Sequence, residues 1–112
     1  MTILVQESRA AGFILSSLGN LSMDSVTLVA GPALPAGQVL ARDAGTGHYA
    51  SYDNASDTLG TAAAILYAPA DARTEPAHAA VVSRLAEVIE SELTGLDAPA
   101  AVDLDSRHII VR

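Results

Sequence analysis

The sequence has no cysteine, no lysine and no tryptophan. Without cysteine there is neither a disulfide framework nor thiolate chemistry, so the fold must hold without covalent staples. Without lysine, six scattered arginines face thirteen acidic residues, giving a formal net charge of −7. A protein that grips a polyanion needs a basic stripe; none is present, so direct nucleic-acid binding is not expected. Aromatic residues are scarce, being limited to Phe13, Tyr49, Tyr52 and Tyr67. Long apolar runs are also missing. The longest fall far short of the ~20 residues that span a bilayer, so no membrane association is expected. The N-terminus has no basic region ahead of an apolar one, and Gln6, Glu7 and Arg9 interrupt its apolar stretches, so the expectation is a soluble protein without an export signal.

What remains is a chain of 112 residues, half of them hydrophobic. That length allows one domain, and that composition excludes a disordered one. Most of the hydrophobic half is alanine, which buries little area per residue. The core is therefore expected to consist of thin elements in close approach, and such a domain gains from sharing surface with copies of itself.

Residues 1–25 differ from the rest. Two apolar patches, Ile3-Leu4-Val5 and Phe13-Ile14-Leu15, are separated by a polar stretch, and Gly19-Asn20 breaks the segment before a long element can form. This fits an edge strand or short helix folded on the body, and equally a flexible arm whose patches await a partner. From Val26 the signals are strand-like. Val26–Val29 is short and β-branched and ends at Gly31-Pro32. Leu34-Pro35-Ala36-Gly37 reads as a type I turn, with Pro35 second and Gly37 fourth. Strands are expected at Gln38–Arg42, His48–Asp53 and Thr61–Tyr67, the last apolar throughout as in a strand covered on both faces. Between Thr74 and Leu96 two readings compete. Apolar residues at 81, 82, 85, 88, 89, 93 and 96 fit a helical period, with Thr74 as cap, Pro76 in the first turn and Gly95 as the stop. The alternative is a strand over Ala79–Ser83 followed by a shorter helix. Arg107–Arg112 reads as a closing strand.

Candidate chemistry is sparse. His48, His78 and His108 stand too far apart for the ligand spacing of a metal site and read as surface residues. Glu87, Glu90 and Glu92 fit a solvated face better than a carboxylate pair. There is no nucleophile elbow and no phosphate loop, and Gly45-Thr46-Gly47 is too short for a dinucleotide fingerprint. Asn54-Ala55-Ser56 matches a glycosylation sequon but lacks the secretion signal that would give it meaning. The expectation is a protein that is not an enzyme, with no cofactor and no metal.

The order of segments is distinctive: Val26–Gly31, Leu34–Leu40, Thr46–Tyr49 with Tyr52-Asp53, Ala62–Tyr67, Ala80–Val82, Arg84 with Ala86–Val88, and His108–Arg112. Over residues 25–112 this resembles the head decoration protein D family of tailed bacteriophages, the lambda-type capsid cement proteins. It departs from that pattern at Ser22–Ser25, where relatives carry a basic residue, and near Leu93–Gly95, where a tryptophan is missing. The resemblance implies a mainly β fold with small helical elements (α+β), β-clip-like and trimeric, with a strand through Ala79–Ser83 and helix only after about Leu85. It divides the chain into an N-terminal capsid-binding arm, 1–25, and a decoration domain, 26–112. It further implies a homotrimer, made in the host cytoplasm, that binds the major capsid protein at local three-fold positions on the outer capsid surface of the expanded head. There it stabilises the virion against DNA packaging pressure. The residues expected to bind the capsid are Ile3, Leu4, Val5, Phe13, Ile14 and Leu15, with Pro35 and Gly37 shaping a structural turn. Two rival functions remain: an SAF-type β-clip module that binds a ligand or protein, suggested by Leu34–Leu40, and a subunit of a dUTPase-like trimer, for which no motif is present.

Overall fold

A computed structural model describes residues 14–112, the side chains of residues 14–22 and of Leu85 excepted. The fold is mainly β with one short α-helix. The elements are β1 (Ile14–Leu28), β2 (Val39–Arg42), β3 (Tyr49–Ser51), β4 (Ala62–Leu66), β5 (Ala77–Val88), a 3₁₀ turn (Glu90–Glu92), α1 (Ala98–Asp105) and β6 (Ile109–Val111). The strands lie in the order β1-β3-β2-β4-β5-β6, and β1 also pairs with β5, so the first five close into a ring. Closure covers one edge of β1 along β5, while its other edge meets β3 only at Leu28, opposite Tyr49. β5 is the hub. It runs antiparallel to β1 along one side, while its other side meets β4 at Val81–Val82 and then β6, in parallel, at Ala86–Val88.

The core divides into two clusters on the two faces of this sheet. One gathers Val39, Ala41, Tyr52, Ala62, Ile65, Val82, Ala86, Val88, Ala100, Leu104 and Ile109. The other gathers Leu28, Leu40, Ala64, Leu66 and Val81. Strand alternation assigns most of these, since neighbours along a strand point to opposite faces. β4 needs one correction to that rule: Ala62 and Ala64 belong to different clusters although they are two residues apart. The register accounts for it. Leu40 stands opposite Ala64 and Ala41 opposite Ala62, so Ala63 is an extra residue, a β-bulge that inverts the facing of the strand. All five residues of β4 are buried, as its unbroken apolar sequence requires. Among the described residues, seven of the eighteen buried apolar residues are alanines, so the layers approach closely and tolerate little added volume.

The expected strands at Gln38–Arg42, His48–Asp53, Thr61–Tyr67 and Arg107–Arg112 are present within a residue or two. The segment after Thr74 differs from both sequence readings. There is a strand through Ala79–Ser83, but it starts at Ala77 and continues to Val88, and no α-helix follows Leu85 directly. Backbone pairing decides this. Between Ala77 and Val88 both edges of β5 are used, and Val82, Ala86 and Val88 alternate into one cluster. The helical spacing of apolar residues is thus overridden by tertiary pairing. The helix lies further on, at Ala98–Asp105, where the sequence reading had placed no element. Its start is conventional: Asp97 is the N-cap, its Oδ1 accepting from the Ala100 amide at 2.9 Å, and Pro99 sits in the first turn. β1 also differs. It begins at Ile14 and crosses the 25/26 boundary drawn from the sequence without ending at Gly19-Asn20.

Candidate functional site

Of the residues expected to bind a partner, Ile3, Leu4, Val5 and Phe13 lie outside the described residues. Ile14 and Leu15 open β1, with Ile14 opposite Val88 of β5. These two residues thus belong to the longest strand among the described residues. Among the described residues, the edge of β1 that faces away from β5 meets another strand only at Leu28, opposite Tyr49. From Ile14 to Thr27 that edge presents backbone donors and acceptors to whatever lies beyond, the arrangement that β-augmentation uses.

The pairing of β1 with β5 is uneven. Ser17 stands opposite Ala86 and Ser22 opposite Arg84, so Leu18, Gly19, Asn20 and Leu21 together face the single residue Leu85. A second irregularity follows at once, because Met23 stands opposite Val82 and Ser83 is skipped. Ser83, which is buried, uses its displaced position to donate from Oγ to Asp24 Oδ2 at 2.7 Å. The Arg84 guanidinium donates to Ser83 Oγ at 3.3 Å and lies 3.5 Å from Asp24 Oδ2. This polar knot fastens the inner half of β1 just beyond the large bulge. Its ion pair is half exposed and adds little by Coulomb attraction alone, so the short Ser83–Asp24 bond is its firmer part.

The turn at Pro35 and Gly37 is real but displaced by one residue. The Gln38 amide donates to the Pro35 carbonyl at 3.3 Å, and Gly37 has φ +89°, so Pro35 is first and Gly37 third. A positive φ at the third position fits a type II turn, not the expected type I. The shift arises because the Gly37 amide donates to the Leu66 carbonyl and the Leu34 carbonyl accepts from the Ala70 amide, both at 2.9 Å, so neither closes a turn begun at Leu34. The turn also anchors the segment after β5. The Thr94 amide donates to the Gly37 carbonyl, the Val39 amide to the Thr94 carbonyl, and the buried Gln38 side chain reaches the Thr94 carbonyl at 3.3 Å. A Cβ on Gly37 would lie 2.4 Å from the Glu92 carbonyl oxygen, and one on Gly95 2.9 Å from Gln38 Nε2.

Two contacts escaped the sequence reading. The Tyr52 hydroxyl, at the end of β3, donates to Asp97 Oδ1 at 2.9 Å and lies 3.2 Å from Asn54 Oδ1. Asp97 thus caps α1 and ties it to the sheet at the same time. Burial, with the Asp97 hydrogen bond and nearby acids adding to it, pushes the Tyr52 phenol up from 10.0 to about 12. Arg73 clips two loops, donating from Nε to the Val29 carbonyl at 2.9 Å and from Nη1 to the Asp71 carbonyl at 2.7 Å. The aspartate followed by Ala-Pro-Ala was the available signal for the first of these; for the second there was none. His48 precedes β3, His78 lies on β5 and His108 between α1 and β6, and among the described residues no group of three or more metal-ligating side chains converges.

A model of the family described as bacteriophage lambda head decoration protein D matches residues 3–109. The chain belongs to that family. The match takes in the N-terminal segment as well as the sheet, reaching further towards the N-terminus than the 25–112 over which the sequence resemblance was drawn. A comparison with curated proteins returned no match. Head decoration proteins are structural components of the phage virion, and among the described residues this member has a mainly β architecture with one short α-helix.

Proposed function

We propose that this decoration protein assembles as a homotrimer on the outer surface of an expanded phage head, at local three-fold positions, and stiffens the shell against packaged DNA. The capsid-binding arm lies within residues 1–25, through Ile3, Leu4, Val5, Phe13, Ile14 and Leu15, and residues 26–112 belong to the decoration body. The protein is made in the host cytoplasm and joins the virion once the shell has expanded. The observation that carries this reading is membership of the decoration family from residue 3 to residue 109, arm included.

Physical features of the chain agree with it. An alanine-rich core gains from burial between copies. The net charge of −7 keeps the protein soluble before assembly and away from DNA. The outer edge of β1 leads into the apolar N-terminal patches, so an arm docked by strand addition continues a strand that already exists. Three arms on one trimer bind far more tightly than one, because the second and third attachments are intramolecular. Light scattering coupled to size exclusion tests the assembly. A mass of three chains at micromolar concentration is expected, and a monomer contradicts the proposal.

A further inference from the structure

The bulge in β1 divides the strand into two parts with different holds on β5. The inner part, Ser22–Leu28, is paired with β5 from Arg84 to Ala77, continuously from Met23 onward with Ser83 alone skipped, and is fastened by the knot of Asp24, Ser83 and Arg84. The outer part, Ile14–Ser17, is separated from it by Leu18–Leu21, and its own pairing slips once more between Ile14 and Ser16. Bulges of this size interrupt a ladder and let the chain change direction, and glycine and asparagine at its centre, Gly19 and Asn20, accept backbone angles that other residues resist. The outer end of β5 does not depend on Ile14–Ser17 alone. Ala86, Glu87 and Val88 are paired on their other side with Ile109, Ile110 and Val111 of β6.

We propose that Leu18–Leu21 is a hinge, and that Ile14–Ser17 leaves β5 when the protein attaches to the capsid, becoming part of the arm that the shell protein captures. The inference rests on the capsid-attachment reading above. Release adds the eight residues Ile14–Leu21, about 27 Å of extended chain, to what the shell protein can capture. The body stays closed, because β5 keeps β6 on one side and the inner part of β1 on the other. In the free protein the docked half-strand occupies the β5 edge, which would otherwise offer itself to a second molecule. Local opening of a weakly held terminal segment is a common source of such motion.

The absence of cysteine makes the test clean, since an engineered pair has no competing thiol. Ser16→Cys with Glu87→Cys joins register partners of the outer half, and Thr27→Cys with His78→Cys joins register partners of the inner half. Each oxidised protein is melted to check its fold and then sedimented with expanded heads, before and after reduction; Glu87→Ala controls for the lost carboxylate. The outer staple should reduce capsid-bound protein at least ten-fold and reduction should restore it, while the inner staple should leave binding at the level of the unmodified chain. Full binding of the outer-stapled protein overturns the hinge, as does loss of binding with the inner staple. Failure of the outer pair to oxidise in the folded protein overturns it too, because Ile14–Ser17 would then not lie on β5. If the unmodified chain itself fails to bind, it is the attachment reading that falls.

Discussion

Single residues set the tightest constraints where the backbone is forced into the left-handed region. Gly37 combines φ +89° with a site in which any Cβ meets the Glu92 carbonyl oxygen. Gly37→Ala should therefore cost about 2–3 kcal/mol, with a fall in Tm on the order of 10 °C. His108 holds φ 62° without glycine's freedom, so His108→Gly should raise Tm or leave it unchanged; thermal melts of the two variants check both signs. Tyr52 predicts a pH effect. Its phenol is raised from 10.0 to about 12 in the fold, so the neutral form is the one the folded state prefers. The resulting stabilisation is fully present below pH 10 and is lost as pH rises from 10 to 12. Ultraviolet titration of the folded chain should find one of its three tyrosines ionising near pH 12, and Tyr52→Phe should remove that step and flatten the decline of Tm over the same range.

Among the elements, α1 is short enough that its cap decides its fate. Asp97 satisfies the Ala100 amide and holds the Tyr52 hydroxyl, so Asp97→Ala removes both contacts. A loss of about 1–2 kcal/mol is expected, read as a lower denaturation midpoint in urea, while Asp97→Asn should keep most of the cap. This scale is also where sequence reading succeeded and failed. β2, β3, β4 and β6 were legible because each is a short β-branched or apolar run closed by glycine, proline or polar residues. β5 was only half legible, since Val81, Val82, Leu85 and Val88 also satisfy a helical period and nothing local records that β1, β4 and β6 would claim its two edges. Gly19-Asn20 did mark an interruption, but pairing on either side turned it into a bulge within β1 and not an end. Asp97 as cap and Pro99 in the first turn mark the start of α1, but the region lacks the amphipathic stripe that makes a helix legible. Its inward residues, Ala100 and Leu104, are a single pair four apart.

At the scale of the whole molecule, the family was legible from the order of its segments, and the N-terminal patches were legible as unlike the body. How a shell would be met was not, because a partner's surface leaves no record in this chain. On the proposed function, this chain decorates an expanded head through its N-terminal arm. The direct measurement is co-sedimentation of the purified protein with expanded and unexpanded heads of its phage, using the full chain and a chain lacking residues 1–13. The full chain should pellet with expanded heads and not with unexpanded ones. The shortened chain should keep its Tm within a few degrees, because residues 14–112 contain the closed ring of strands, and should lose binding. Undiminished pelleting of the shortened chain, or equal pelleting with both kinds of head, would contradict the proposed function.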